Sequence, residues 1–253
     1  MIAPGTVVLI TGGGKGVGAG IGRVLCAAGA KACLGYRSSP ELAEKTLGGI
    51  LGAGGDAFLY RADVADRAQL RAMVEATVAK YGRLDALVNN AAMQPNRFIG
   101  EYDADHLTAL FEINAHGYLR ALQECLPYLK KSACPRIVNI SSVHGKRPAV
   151  FDVGYSMTKS AIRMLTREAA LEFAKYGITV NCIDLGACKI EGKTGGFPFR
   201  MWWPPETRPH PGQPLGRITT PEDVGHLVQF LLSPEAGNLD GAGIRLDGAA
   251  MLT

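Results

Sequence analysis

Short β-branched runs alternate with longer stretches of helical periodicity along most of this chain. Val7–Ile10, Lys31–Tyr36, residues 56–60, Ala86–Asn89, residues 136–141 and Thr179–Leu185 read as strands. Between them lie helices from about Gly18, about Pro40 and about Asp66, a long helix running through Leu129, and one over residues 155–174. Pro221-Glu222-Asp223 opens another helix through Leu232, with the proline and the acids suited to its first turn, and the short run Gly243–Leu246 closes the pattern. Strand and helix repeated in this way require a parallel sheet, because each crossover carries the chain back over a sheet face before the next strand starts. The predicted fold class is therefore α/β, a doubly wound parallel sheet of about seven strands with helices on both faces.

One region breaks the rhythm. Residues 192–216 hold six prolines, five glycines and the Trp202-Trp203 pair, with neither helix nor strand periodicity. It reads as part of an insertion at 187–216 rather than a connector, since ordinary connections in such units span only a few residues. Elsewhere no stretch resembles a linker, and apolar residues, 47% of the 253, are spread evenly enough for one continuous core, so 1–253 is expected to be a single domain. The formal net charge of +4 is mild and the cations are scattered, which argues against nucleic-acid binding. Neither a charged leader followed by an apolar run nor eighteen consecutive apolar residues occurs, so a cytoplasmic protein with no membrane partner is expected. The six cysteines show no two-residue spacing and sit mostly in apolar runs, as buried free thiols would; the five histidines lack helical pairing, and no metal is predicted.

The glycine-rich turn Thr11-Gly12-Gly13-Gly14-Lys15-Gly16-Val17-Gly18 follows the first strand and opens the first helix. That is where a dinucleotide pyrophosphate meets backbone N–H groups and the positive helix end, and where a Cβ would block its approach. The spacing Thr-Gly-x-x-x-Gly-x-Gly resembles the short-chain dehydrogenase/reductase family, and later landmarks of that family follow in order. Asp63-Val64 resembles its adenine-contacting pair, and Asn89-Asn90-Ala91-Ala92 its cofactor-flanking segment, with Ala92 replacing the usual glycine. Asn114, Ser142, Tyr155 and Lys159 fall in its catalytic order, and the likeness runs from about Gly5 to Gly248. The resemblance implies a Rossmann-type fold and a nicotinamide cofactor held by Gly12, Gly14, Lys15, Gly16, Val17, Gly18, Arg37, Asp63, Val64, Asn90, Tyr155, Lys159 and Gly186.

Charge bears on which cofactor that is. NAD-specific members usually carry an acid at the end of the second strand, but here Tyr36 is followed by Arg37, and Lys15 stands in the glycine turn. Two cations suit the 2′-phosphate of NADP(H), which is favoured, with NAD(H) use left open; the bland alternative is a pair of surface cations.

Tyr155 and Lys159 lie four apart in a helical run and so share a face. A free tyrosine is a poor base at neutral pH, and a neighbouring ammonium moves its pKa toward the working range. The resemblance implies that Ser142 holds and polarises the substrate oxygen and that Tyr155 exchanges the proton. It further implies that Lys159 tunes Tyr155 and holds the nicotinamide ribose, and that Asn114 carries a water joining the lysine to solvent. By itself Asn114 reads equally as a helix-interior amide bonded to its own backbone.

Two departures stand out. Leu185-Gly186-Ala187-Cys188-Lys189-Ile190 replaces the family's Pro-Gly and carboxamide-binding threonine, and Ile190 cannot make that side-chain bond, so it is left out of the site. Asp247-Gly248-Ala249 departs from Asp-Gly-Gly. The substrate depends on the insertion, where Trp202 and Trp203 either stack on a ring or pack the loop, and Arg200, Arg208 and His210 offer polar partners. Ser141-Ser142-Val143-His144 and Gln94-Pro95 resemble sugar dehydrogenases of the family, which points to a sugar, polyol or cyclic small-molecule substrate. The alternatives are a 3-oxoacyl thioester ketoreductase, with Arg147, Arg200 and Arg208 as a basic rim for an acidic carrier, and a non-catalytic dinucleotide-binding sensor. A homo-oligomer, tetramer or dimer, is also implied by the resemblance.

Overall fold

The computed structural model describes residues 1–148, 152–190 and 214–252. β1 (Val7–Ile10), β2 (Lys31–Tyr36), β3 (Asp56–Arg61), β4 (Ala86–Asn89), β5 (Arg136–Ile140), β6 (Thr179–Leu185) and β7 (Gly243–Leu246) form one sheet in the order β3-β2-β1-β4-β5-β6-β7. Every pairing is parallel. β1 and β4 are buried along their whole length, as strands covered on both faces must be. Alternate residues face opposite layers. Val8 and Ile10 of β1 point into a core shared with α1 (Gly16–Ala27), α2 (Pro40–Gly52) and α7 (Pro221–Leu231). Val7 and Leu9 point into a second core with α3 (Arg67–Tyr81), α5 (Gly117–Leu129) and α6 (Val153–Phe173). This is the doubly wound, Rossmann-type α/β arrangement that the alternation predicts.

The strand order reverses between β1 and β4, which leaves a crevice above the carboxyl ends of those two strands. The glycine turn follows β1 and Asn90 follows β4, so both stand at the crevice.

Two elements differ from expectation. The long helix through Leu129 is interrupted: α4 (Ala104–Phe111) gives way to one π turn, Glu112–His116, before α5 begins. Such a turn inserts a residue into the helical ladder and is common at functional sites; it contains Asn114. The first helix starts at Gly16 rather than Gly18, because Gly16 takes a φ of +56° that turns the chain directly into the helix.

At the neck of the insertion Cys188 forms a β-bridge with Thr219, and the Lys189 N–H donates to the Thr219 carbonyl at 2.9 Å. Trp202, Trp203, Arg200, Arg208 and His210 lie outside the described residues. No helix among the described residues is long and apolar enough to cross a membrane. All six cysteines are free, four of them buried.

Candidate active site

The glycine turn is shaped by contacts that leave no room for side chains. A Cβ on Gly18 would lie 2.2 Å from the Gly12 carbonyl oxygen, and one on Gly14 would lie 2.8 Å from the Ala43 Cβ of α2. Asn90 braces the turn from β4, its Nδ2 donating to the Thr11 and Gly12 carbonyls, both at 3.0 Å. The Thr11 hydroxyl accepts in return from the N–H groups of Asn90 at 2.9 Å and Ala91 at 3.1 Å. Asn90 thus acts on the turn itself. α1 begins at Lys15 without a side-chain cap and with no acid in its first turn. Its first N–H groups and the positive end of its dipole are therefore available to an anion, which fits the pyrophosphate of a dinucleotide. Val17 packs on the core beneath, and Ile190, left out of the site by sequence reasoning, lies 3.4 Å from the Cβ position of Gly16.

The carboxyl ends of β2 and β3 gather the cations. Arg37, Arg61, Ala62, Asp63 and Gln69 line a cavity of about 440 Å³. Arg37 pairs with Asp63 at 3.3 Å, and Arg61 Nε donates to the Arg37 carbonyl at 3.3 Å. Lys15 Nζ reaches Ser39 Oγ at 3.0 Å, at the start of α2. Arg37 and Asp63 are each other's partner here, whereas Lys15 is bonded to Ser39 and does not line this cavity. Arg61 was missed, because its place opposite Tyr36 is set by the β2–β3 register, which the sequence alone does not show. Val64 is buried against Gly117 of α5 rather than open to the crevice. Gly186 follows β6, where a Cβ would strike Asp247 at 2.6 Å.

β5 delivers Ser142, and α6 delivers Tyr155 and Lys159 on one face, four residues apart. Ser142 starts a tight turn, its Oγ accepting from the His144 N–H at 3.2 Å. Burial pushes the Tyr155 phenol up to about 12, a hydrogen bond with Ser142 draws it down, and the charge of Asp152 works upward. Burial pulls the Lys159 ammonium down to about 7. Lys159 Nζ donates to the Ile140 carbonyl at 2.8 Å and lies between two rings, 5.4 Å from the centroid of Tyr155 and 5.5 Å from that of Tyr118. The expectation that the ammonium lowers the Tyr155 pKa is not met in the free protein. Desolvation raises the phenol, and Lys159, itself drawn down by burial, directs its Nζ proton to the Ile140 carbonyl.

Asn114 is fully buried and bonds to neither its own backbone nor Lys159. Its Nδ2 donates to the Met93 carbonyl at 2.8 Å and to Thr158 Oγ1 at 3.2 Å, and its Oδ1 accepts from the Met93 N–H at 2.7 Å. It fastens the segment after β4 to the residue preceding Lys159. The arrangement can present a proton donor, an oxygen-polarising hydroxyl and a tunable ammonium beside a dinucleotide-shaped crevice.

Comparison with known proteins agrees with this geometry. The short chain dehydrogenase family model matches residues 6–195. The chain is 32% identical to 2,5-dichloro-2,5-cyclohexadiene-1,4-diol dehydrogenase of Sphingobium indicum over 96% of its own length and 95% of that protein. It is also 32% identical to L-fucose dehydrogenase of Bos taurus, with 98% and 90% covered. Among solved structures, a variant of actinorhodin polyketide ketoreductase with NADPH superposes with a TM-score of 0.86 at 27% identity, covering 97% of each chain. The protein is an oxidoreductase-type chain that belongs to the short chain dehydrogenase family.

Proposed function

We propose that this protein is an NADP-preferring oxidoreductase that interconverts a secondary alcohol and a carbonyl on a sugar, polyol or cyclic substrate. The observation that carries the reading is the placement of Tyr155 and Lys159 four residues apart on α6, with Lys159 Nζ 5.4 Å from the Tyr155 ring and held to the carbonyl of Ile140, two residues before Ser142. Ser142 orients the substrate oxygen, and Tyr155 delivers a proton to it in reduction or takes one in oxidation. A phenol raised to about 12 is protonated at neutral pH and stands ready as the donor. Lys159 supplies a cation to the ribose and to the developing phenolate, and Asn114 holds the Met93 segment on which the cofactor side rests. Nicotinamide, when bound, supplies or accepts the hydride. Lys15, Arg37 and Arg61 favour the extra phosphate of NADP(H) through charge-assisted hydrogen bonds. One domain provides both the cofactor and the proton-transfer groups. The similarity to a cyclic-diol dehydrogenase and to a sugar dehydrogenase supports a hydroxylated ring as substrate.

A second reading, reduction of an acyl thioester on an acidic carrier, is favoured by one feature. Lys146, Arg147 and Arg245 outnumber Asp184 around a cavity of about 240 Å³ beside Val143, next to Ser142, which would attract an acidic partner.

The test is NADPH and NADH affinity by fluorescence, then turnover with cyclic diols and diones, sugars and acyl thioesters, for the wild type and Tyr155→Phe. Tight NADPH binding is expected in both, with turnover on a ring substrate only in the wild type. Full activity in Tyr155→Phe would remove Tyr155 as proton donor, and binding without turnover on any class would favour the sensor reading.

A further inference from the structure

Asp152 sits three residues before Tyr155 and is completely enclosed. A helix N-cap needs only to accept from the third N–H of its helix, which any serine does in water; Asp152 does so from the Tyr155 N–H at 3.3 Å. Burying a carboxylate for that purpose alone is wasteful, because removing the charge from water is costly without a cation beside it. Asp152 is coupled through space to His144, whose buried ring is drawn below its usual pKa by desolvation. The carboxylate's remaining acceptor capacity goes to a single remote segment. The Tyr102 hydroxyl donates to Oδ1 at 2.7 Å, and the Asn96 N–H donates to Oδ2 at 3.1 Å.

That segment is built to meet the first turn of α6. Asn96 has a φ of +55°, a left-handed conformation that asparagine tolerates at some cost and that aims its N–H at the carboxylate. Gly154 lets the Tyr102 ring lie against the helix, since a Cβ there would fall 2.8 Å from Tyr102 Cζ. The segment also starts beside the glycine turn and is held at Met93 by Asn114. It therefore runs from the cofactor side to the residue bearing the proton donor.

We propose that Asp152 is a positioning residue for Tyr155: it locks residues 96–102 onto the first turn of α6 and so fixes the phenol against Ser142 on the substrate side. The assignment rests on the reading of Tyr155 as proton donor. The groups facing the carboxylate are Tyr102 from the turn before α4, Tyr155 from its own helix and, through space, His144 from the turn after β5. Burial chiefly keeps the Tyr155 phenol protonated, and the negative charge of Asp152 adds to it.

The test is Asp152→Asn, which preserves shape and removes the charge. The readouts are NADPH affinity, the pH profile of kcat with 1,2-cyclohexanedione and NADPH, and hydrogen exchange of the peptide covering residues 93–102. NADPH affinity is expected to stay within about twofold and kcat to fall about tenfold to a hundredfold, as for a displaced catalytic group. The pH midpoint should move down by about half a unit, because the charge opposing the phenolate is gone. Exchange in 96–102 should quicken about tenfold. Unchanged kcat and exchange would overturn the proposal. So would parallel loss of kcat and NADPH affinity with an unmoved midpoint, which is what a merely structural carboxylate would give. Tyr102→Phe removes one hydrogen bond and serves if Asp152→Asn does not fold; a drop in kcat of about threefold to tenfold at constant NADPH affinity is expected, and wild-type kcat and exchange would overturn the assignment. Activity in Tyr155→Phe would instead defeat the parent reading, whereas an inactive Tyr155→Phe beside a wild-type-like Asp152→Asn would defeat this one alone.

Discussion

At the residue scale, Lys159 makes an electrostatic prediction. Its ammonium is buried and drawn down to about 7, whereas an unfolded lysine keeps its proton to about 10.4. Unfolding between these values takes up a proton, so this group's contribution to stability is lowest below pH 7 and rises as pH climbs toward about 10. Melting curves of the cofactor-free wild type against Lys159→Met should show the wild type gaining on the variant across that window. A pH-independent difference would mean that the ammonium is not desolvated. Arg37 makes a second prediction. Because it pairs with Asp63 in the free protein, Arg37→Asp both removes the cation proposed for the 2′-phosphate and places two carboxylates together. NADPH affinity should fall about tenfold to a hundredfold and NADH affinity much less, on the usual strength of a charge-assisted hydrogen bond. Titration of both cofactors checks this, and an unchanged preference would take Arg37 out of the phosphate site.

At the element scale, α1 and α7 cross so closely that glycine is obligatory. A Cβ on Gly20 would lie 2.3 Å from the Pro221 Cβ, and one on Gly225 2.8 Å from the Val24 Cβ. Gly20→Ala is expected to lower stability by about 1–3 kcal/mol in denaturant unfolding, the usual cost of overpacking, despite alanine's better helix propensity. The strands and most helices were legible because hydrophobic period and turn chemistry are local signals; β6 and β7 match to the residue. The π turn at Glu112–His116 was not legible. It is set by the bonds of Asn114 to Met93 and Thr158, partners 21 and 44 residues away. Tyr118 was missed for the same reason: its hydroxyl donates to the Ile140 carbonyl that Lys159 also uses, across two elements.

At the scale of the whole molecule, the reversal of strand order puts every chemical group on one edge of the sheet. The opposite faces of the helices are left for other tasks. Met157, Met164 and Leu171 recur every seven residues along α6 and are all exposed, with Leu119 of α5 exposed as well. A stripe at that spacing on a long helix suits pairing with a second copy, the assembly that family resemblance suggests. Met164→Glu should therefore halve the mass measured by light scattering on a sizing column while leaving NADPH affinity near wild type. An unchanged mass would place the subunit contact elsewhere.

The order of strands and helices, the glycine turn and the shared helix face of Tyr155 and Lys159 were determined by sequence alone, because periodicity, steric demand at a turn and i, i+4 spacing are properties of neighbouring residues, whereas Ser142 became a candidate through the family resemblance. Tertiary structure alone decided how those groups are tuned. Burial sets Lys159 low and Tyr155 high, Arg37 finds Asp63, Arg61 joins them, and Asp152 collects donors from residues 96–102. These are effects of desolvation and of contacts between segments far apart in the chain, and no local pattern of residues encodes them.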